Sequence, residues 1–220
     1  MMLQKYRQEI DSLKEMVVHK KLIEHLEHNL VEHHDELASL LSLGDIFYTY
    51  GLLDKAVEVY EDIIKARPDV ALAYYHLGTS LYRMGHLSRA IETLEKGFSL
   101  NKNIAMFLYW LGVAYYHKGD KKRAERHFLD LLKVSPQSKM AYYHLAIIAI
   151  AKADNKRSIQ YLEKLLEIDG KDTAALYHLA AAYMNTHQTT PALVTLRKLL
   201  ETDPKDIRAK ALMDLMHSEV

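Results

Sequence analysis

The sequence predicts an all-α protein, an α-α superhelix of five stacked helix-turn-helix units with a further helix at each end. Three observations predict it. The stretch Tyr74-Tyr75-His76-Leu77-Gly78 returns as Leu108-Tyr109-Trp110-Leu111-Gly112, as Tyr142-Tyr143-His144-Leu145-Ala146 and as Leu176-Tyr177-His178-Leu179-Ala180, 34 residues later each time. A fixed period of this length marks one supersecondary unit, copied and stacked. Within each period the apolar residues fall three and four apart, the spacing of a helix face, and glycine and proline recur where turns are needed. An array of this kind is an elongated body without a single central core, and it suits the holding of another polypeptide.

Residues 1–34 contain no proline and no glycine. Leu3, Tyr6, Ile10, Leu13 and Val17 are spaced as one helix face, and the stripe resumes one residue out of step at Ile23, Leu26 and Leu30. The spacing predicts an amphipathic helix that must bury its stripe on something, since a lone helix is rarely stable. The slip after Val17 interrupts a heptad seam. Asp35 is placed to cap the helix that follows.

The repeat array occupies residues 35–206, in copies spanning 37–70, 71–104, 105–138, 139–172 and 173–206. With Leu37 as position 1, position 7 is always leucine (Leu43, Leu77, Leu111, Leu145, Leu179) and position 8 is always small (Gly44, Gly78, Gly112, Ala146, Ala180). Positions 4, 7, 8 and 11 share one face of the first helix, and positions 20, 24 and 27 share one face of the second. Small residues at positions 8 and 20 let the two helices approach, and a bulkier side chain would overpack the contact at a cost of ~1–3 kcal/mol. Gly51, Gly85 and Gly119 at position 15 suit a turn that needs a positive φ. Pro68, Pro136 and Pro204 at position 32 end the second helix.

The period, the paired helices and these residue types resemble the tetratricopeptide repeat family over residues 37–206. The last two copies depart from the pattern: Ala153 and His187 replace the turn glycine, Ser158 replaces the close-packing alanine, and Pro191 falls in the first turn of a second helix, where it is tolerated. These changes bear on the local turn geometry and not on the fold, and this end of the array is expected to be softer. Beyond Pro204, Ile207, Ala211, Leu212, Leu215 and Met216 have helical spacing. Residues 207–220 are expected to form the helix that closes such arrays.

The resemblance also implies a peptide-binding groove lined by the first helices, from positions 2, 5, 9, 12 and 13. By position this gives Leu41, Tyr75, Tyr109, Tyr143 and Tyr177 at position 5, and Asp45, Thr79, Val113 and Ile147 at position 9. Position 12 supplies Tyr48, Tyr82, Tyr116, Ile150 and Met184, position 2 supplies Met106 and Met140, and position 13 supplies Arg83. The expected ligand is an amphipathic helix or an apolar extended segment, because so much tyrosine and methionine invites cover. The competing expectation is that the tyrosines pack on neighbouring first helices and merely tile the wall. Family members that clamp a C-terminal carboxylate use Lys and Asn at positions 5 and 9, and this chain carries neither there.

Basic and acidic residues balance at 29 each, which argues against a general nucleic-acid binder, and there is no cysteine. Charges interrupt the N-terminus, and no window has the length and apolarity of a membrane span, so a cytoplasmic protein is expected. No nucleophile–base spacing, phosphate loop or cofactor motif is present, so no enzyme, no cofactor and no metal is expected. His19, His25, His28, His33 and His34 read as a solvated face, since one helix rarely converges three metal ligands. Lys118, Lys121, Lys122 and Arg123 read as a solvated turn. The function expected is a protein-binding scaffold or adaptor. The alternative is a self-assembling platform, or an autoinhibited adaptor, in which residues 1–34 enter a groove of their own or of a neighbouring copy.

Overall fold

The computed structural model describes residues 2–8 and 36–218. Among them the regular elements are all helices: α1 (Met2–Lys5), α2 (Glu36–Thr49), α3 (Leu53–Ala66), α4 (Ala71–Arg83), α5 (Leu87–Leu100), α6 (Ala105–His117), α7 (Lys121–Val134), α8 (Lys139–Ile150), α9 (Asn155–Ile168), α10 (Thr173–Asn185), α11 (Thr189–Thr202) and α12 (Ile207–Ser218). The fold class is the expected one. Contacts gather the chain into two compact units, Met1–Gly119 with α1–α6 and Asp120–Val220 with α7–α12. Most of the helix expected over residues 1–34, with its histidines and the Asp35 cap, lies outside the described residues.

In the first unit each helix from α2 to α6 packs on the next, and α4 also touches α2 and α6. In the second unit α7 to α12 pack in the same order, and α10 also touches α12. Positions 7, 8, 20, 24 and 27 are buried in every copy. Positions 3 and 10 are buried as well: Ser39, Ala73, Phe107, Ala141 and Ala175, and Ile46, Ser80, Ala114, Ile148 and Ala182. A first helix therefore has two buried sides rather than one stripe. α4, for example, has second helices on both flanks, α3 and α5.

The turn at position 15 is left-handed in all five copies, with or without glycine. Gly51, Gly85 and Gly119 have φ of 73°, 79° and 89°, and Ala153 and His187 have 55° and 56°. The hydrogen bonds match too. Gly85 N–H bonds to Tyr82 O at 2.9 Å and His86 N–H to Leu81 O at 2.9 Å; His187 N–H bonds to Met184 O at 2.9 Å and Gln188 N–H to Tyr183 O at 2.9 Å. This paired bonding closes a helix through one left-handed residue. The carbonyls of the preceding helix demand it whatever side chain is present.

Side-chain N-caps are confined to some helix starts, and Gln188 before α11 makes none. Asp120, Ser138, Asp154 and Asp172 cap α7 to α10 by accepting from a backbone N–H three residues on, at 2.9–3.3 Å. The N-cap residues of α3 to α6, Leu52, Val70, His86 and Ile104, make no side-chain cap bond. Pro191 is the third residue of α11, as the sequence allows, and its carbonyl accepts from Thr195 Oγ1 at 2.8 Å.

α12 closes the second unit with a face that shares Leu212 and Met216 with the expected one but turns Ile207 and Leu215 outward. Ala209 is buried, and Leu212, Met213 and Met216 pack with it against Leu176, Ala180, Leu196 and Leu199. Ile207 is 79% and Leu215 48% exposed. The helix is oriented at its start by Asp206, whose Oδ1 accepts from Arg208 N at 2.8 Å and Ala209 N at 3.0 Å.

Candidate functional site

In the first unit, positions 5 and 12 lie two turns apart on α2, α4 and α6, on one face of each helix. Tyr75, Tyr82, Tyr109 and Tyr116 are all half-buried there. Trp110 joins them: its Nε1–H donates to the Tyr75 hydroxyl at 3.1 Å. Tyr75 meets Phe107 edge-on with ring centroids 5.7 Å apart. Tyr82 lies 5.3 Å from Trp110 and 5.7 Å from His117, and Tyr109 lies 5.4 Å from Trp110. The rings thus tie α4 to α6 and still leave part of each phenol at the surface. Burial pushes the phenols of Tyr75, Tyr82 and Tyr109 up, so they stay neutral.

Several expected lining residues are placed otherwise. Thr79 and Val113 are 4% and 5% exposed, so neither offers a ligand any appreciable surface; the Thr79 hydroxyl donates to His76 O at 3.0 Å. The Asp45 carboxylate serves an internal network, accepting from Tyr60 OH at 2.7 Å and pairing with His76 Nδ1 at 2.9 Å. Burial alone would raise its pKa, but the bonds from His76 and Tyr60 outweigh burial and hold it below the usual range. Arg83 is tied down: its guanidinium lies 4.5 Å from the Tyr48 ring centroid and donates to Tyr48 O at 2.7 Å. Leu41 and Tyr48 are half-buried against the core, and Met106 is 38% exposed.

In the second unit Tyr143 packs between His144 at 5.7 Å and His178 at 6.2 Å. Tyr177 is covered more than expected: the Arg208 guanidinium of α12 lies 4.7 Å from its ring centroid. Burial and then the Arg208 charge push the adjacent His178 imidazole down. Ile147 and Met184 are half-buried, and Met140 and Ile150 are exposed.

The recurring histidines at position 6 have a structural reason. His76 stacks on Tyr60 at 5.3 Å with rings 17° apart, and His144 stacks on Phe128 at 4.8 Å with rings 3° apart. The two pairs have the same offset along the chain. One contact was not foreseen: Tyr6 is buried, and its hydroxyl donates to Asp62 Oδ2 at 2.7 Å on α3. Its place in the apolar stripe was legible, but its partner was not. No helix among the described residues is long and apolar enough to cross a membrane.

Comparison with known proteins agrees with this architecture. A solved structure of MamA is 26% identical, covering 74% of this chain and 95% of that one with a TM-score of 0.70. MamA from Desulfovibrio magneticus RS-1 is 17% identical, covering 79% and 98% with a TM-score of 0.71. YrrB, described as a TPR protein with an unusual peptide-binding site, is 15% identical, covering 86% and 97% with a TM-score of 0.70. Comparison with curated proteins finds no match. One family model described as tetratricopeptide repeat matches residues 41–96, 75–128 and 119–173, and a second matches 149–215. With its helix pairs and these matches over most of its length, the chain belongs to the tetratricopeptide repeat family.

Proposed function

We propose that the chain is a non-enzymatic interaction scaffold whose first-helix faces receive an apolar helix or extended segment of a partner protein. The carrying observation is the ring cluster on α4 and α6. Tyr75, Tyr82, Tyr109 and Trp110 are held by contacts with one another while remaining half-exposed. Rings already fixed lose little side-chain freedom on binding, and each offers a large apolar area with a wettable edge. In the second unit, Tyr143 with exposed Met140 and Ile150 supports the same reading.

The test is a peptide array of apolar helical and extended sequences, probed with the intact chain and with Tyr109→Ala/Tyr143→Ala. One residue is removed from each unit, and Tyr75 is spared because its hydroxyl holds Trp110. Loss of roughly thirtyfold or more in affinity at unchanged helicity is expected for residues at the centre of a site. Retained affinity removes the faces from consideration. The self-assembly alternative is tested by deleting residues 1–34 and measuring solution mass, where a fall in mass supports it. Lys5 and Tyr6 themselves are seated on α3, a second helix, and not on the ring cluster.

A further inference from the structure

The contacts of Lys5 and Tyr6 make a small, complete site. The Tyr6 ring is 2% exposed and joins the core of the first helix pair with Leu40, Leu43 and Ile63. Its hydroxyl donates to Asp62 Oδ2 at 2.7 Å. Lys5 Nζ reaches the same carboxylate at 2.7 Å and Glu58 Oε1 at 2.7 Å. Glu58 and Asp62 are one turn apart on α3, so both carboxylates face the same way. Asp62 is the more buried of the two and Glu58 the rim. Ring and ammonium satisfy the site together: the ring fills the apolar socket, and the two donors share the half-buried carboxylate, which is costly to leave unpaired.

α1 spans Met2–Lys5, and Tyr6 follows it directly into the socket. The recognised chemistry is that of the Lys–Tyr pair, a ring for the socket and two donors for Asp62.

We propose that the socket of α2 and α3 is a recognition site for a helical turn bearing a basic residue followed directly by tyrosine, filled here by the chain's own Lys5–Tyr6 and available to the same pair on a partner protein once that segment leaves. This surface and this chemistry are separate from the ring cluster on α4 and α6. Phenylalanine in place of the tyrosine fills the socket but leaves Asp62 a donor short. A phosphorylated tyrosine is rejected by the two carboxylates.

The test uses the full chain with its own ligand removed by Lys5→Ala/Tyr6→Ala, with unchanged circular dichroism as the control for folding. The probe is a fluorescein-labelled peptide of residues 1–12. Saturable binding to the vacated chain is expected. The peptide carrying Phe for Tyr6 should bind roughly ten- to a hundredfold more weakly, the worth of a hydrogen bond to a charged group. Asp62→Asn in the vacated chain should weaken binding to a similar degree. The native chain should bind at least tenfold more weakly than the vacated one, because its own segment competes at high effective concentration. Should the double alanine chain lose helix content, Lys5→Glu opens the socket instead, by setting a like charge beside Glu58 and Asp62. No saturable binding to the opened chain at millimolar peptide overturns the proposal. So does binding indifferent to Asp62→Asn, and so does equal binding to native and opened chains.

Discussion

Gly97→Ala adds one methyl group at a place where three helices meet. Gly97 lies on α5, and a Cβ there would sit 2.6 Å from Cε1 and Cζ of Phe107 on α6 and 2.7 Å from Cβ of Tyr74 on α4. Ordinary carbon–carbon contacts are ~3.5–4.0 Å, so each distance must open by about 1 Å. Tyr74 Cβ moves only with its backbone. Phe107 is fully buried and stands edge-on to Tyr75, so its ring has nowhere easy to turn. Overpacking of this kind costs ~1–3 kcal/mol, and the better helix propensity of alanine returns ~1 kcal/mol. The net expectation is a loss of up to about 2 kcal/mol, read as a lower urea midpoint at unchanged m-value. Trp110 is the one tryptophan of the chain, and its indole is bonded to Tyr75. Its fluorescence should therefore report the same displacement, by a shift in the native baseline. An alanine variant as stable as the parent, with the parent's emission maximum, would refute the tight three-helix crossing and the rigid ring cluster built on it.

Ala153→Gly and His187→Gly relieve left-handed strain of ~1 kcal/mol or more and give back ~0.4–1 kcal/mol through the freer unfolded chain, so each should be neutral to mildly stabilising in urea melts. Gly85→Ala, at φ 79° with open space around the new methyl, should cost about 1 kcal/mol from backbone strain alone. Asp206→Ala should cost ~0.5–2 kcal/mol as a lost N-cap and speed hydrogen exchange in α12 ahead of the rest of the second unit. The Arg208 guanidinium, against the opposing effect of burial, and the backbone N–H groups of Ala209 and Arg208 bring the Asp206 carboxyl down to about 2. A carboxyl depressed on folding stabilises fully above its unfolded pKa near 3.8 and loses that effect as pH falls toward 2. Acid release of α12 should therefore begin below pH 4 in the native chain, and Asp206→Ala should flatten that dependence. Tyr60→Phe removes one of two bonds to Asp45 and should cost ~1–3 kcal/mol, with the Asp45 carboxyl rising toward the ordinary range in an NMR titration.

The period made the helix pairs legible, because five copies with leucine at position 7 and a small residue at position 8 leave few other ways to pack. What the period hid was the second buried side of each first helix. Phe107 looks like a surplus hydrophobic until the preceding second helix, with Gly97, is in place, so one face alone does not account for the core. The turn at position 15 is only partly legible for a related reason. Ala153 and His187 look like departures, yet the carbonyls before them impose the left-handed conformation that glycine merely makes easy. At the candidate site, the aromatic positions were legible and their partners were not. Asp45 lies within reach of Tyr60 and His76 only after α2, α3 and α4 have packed, and Arg208 covers Tyr177 only once α12 has folded back.

Position within the copy sorts the tyrosines by task, and the sorting explains why the faces are rigid. Tyr115 and Tyr183, both at position 11, donate to Glu95 and Glu163 at 2.6 Å, each acid twenty residues upstream on the preceding second helix. Burial and the Glu163 carboxylate push the Tyr183 phenol up to about 12, so it remains a donor around neutral pH. Tyr60, at position 24, donates to Asp45 in the same manner and forms the platform on which His76 stacks. These phenols lock neighbouring helices together from positions that point into the stack. The position-5 and position-12 phenols, seven residues apart on the first helices, then ride on helices whose spacing is already set by those bonds. On the proposed function, a partner meeting Tyr82 or Tyr109 would meet rings on helices that these bonds already tie to their neighbours. Loosening the anchoring bonds, as by Tyr115→Phe, should weaken binding at the α4–α6 face without touching any residue on it, and an unchanged affinity would show that the face is held by its own ring contacts alone.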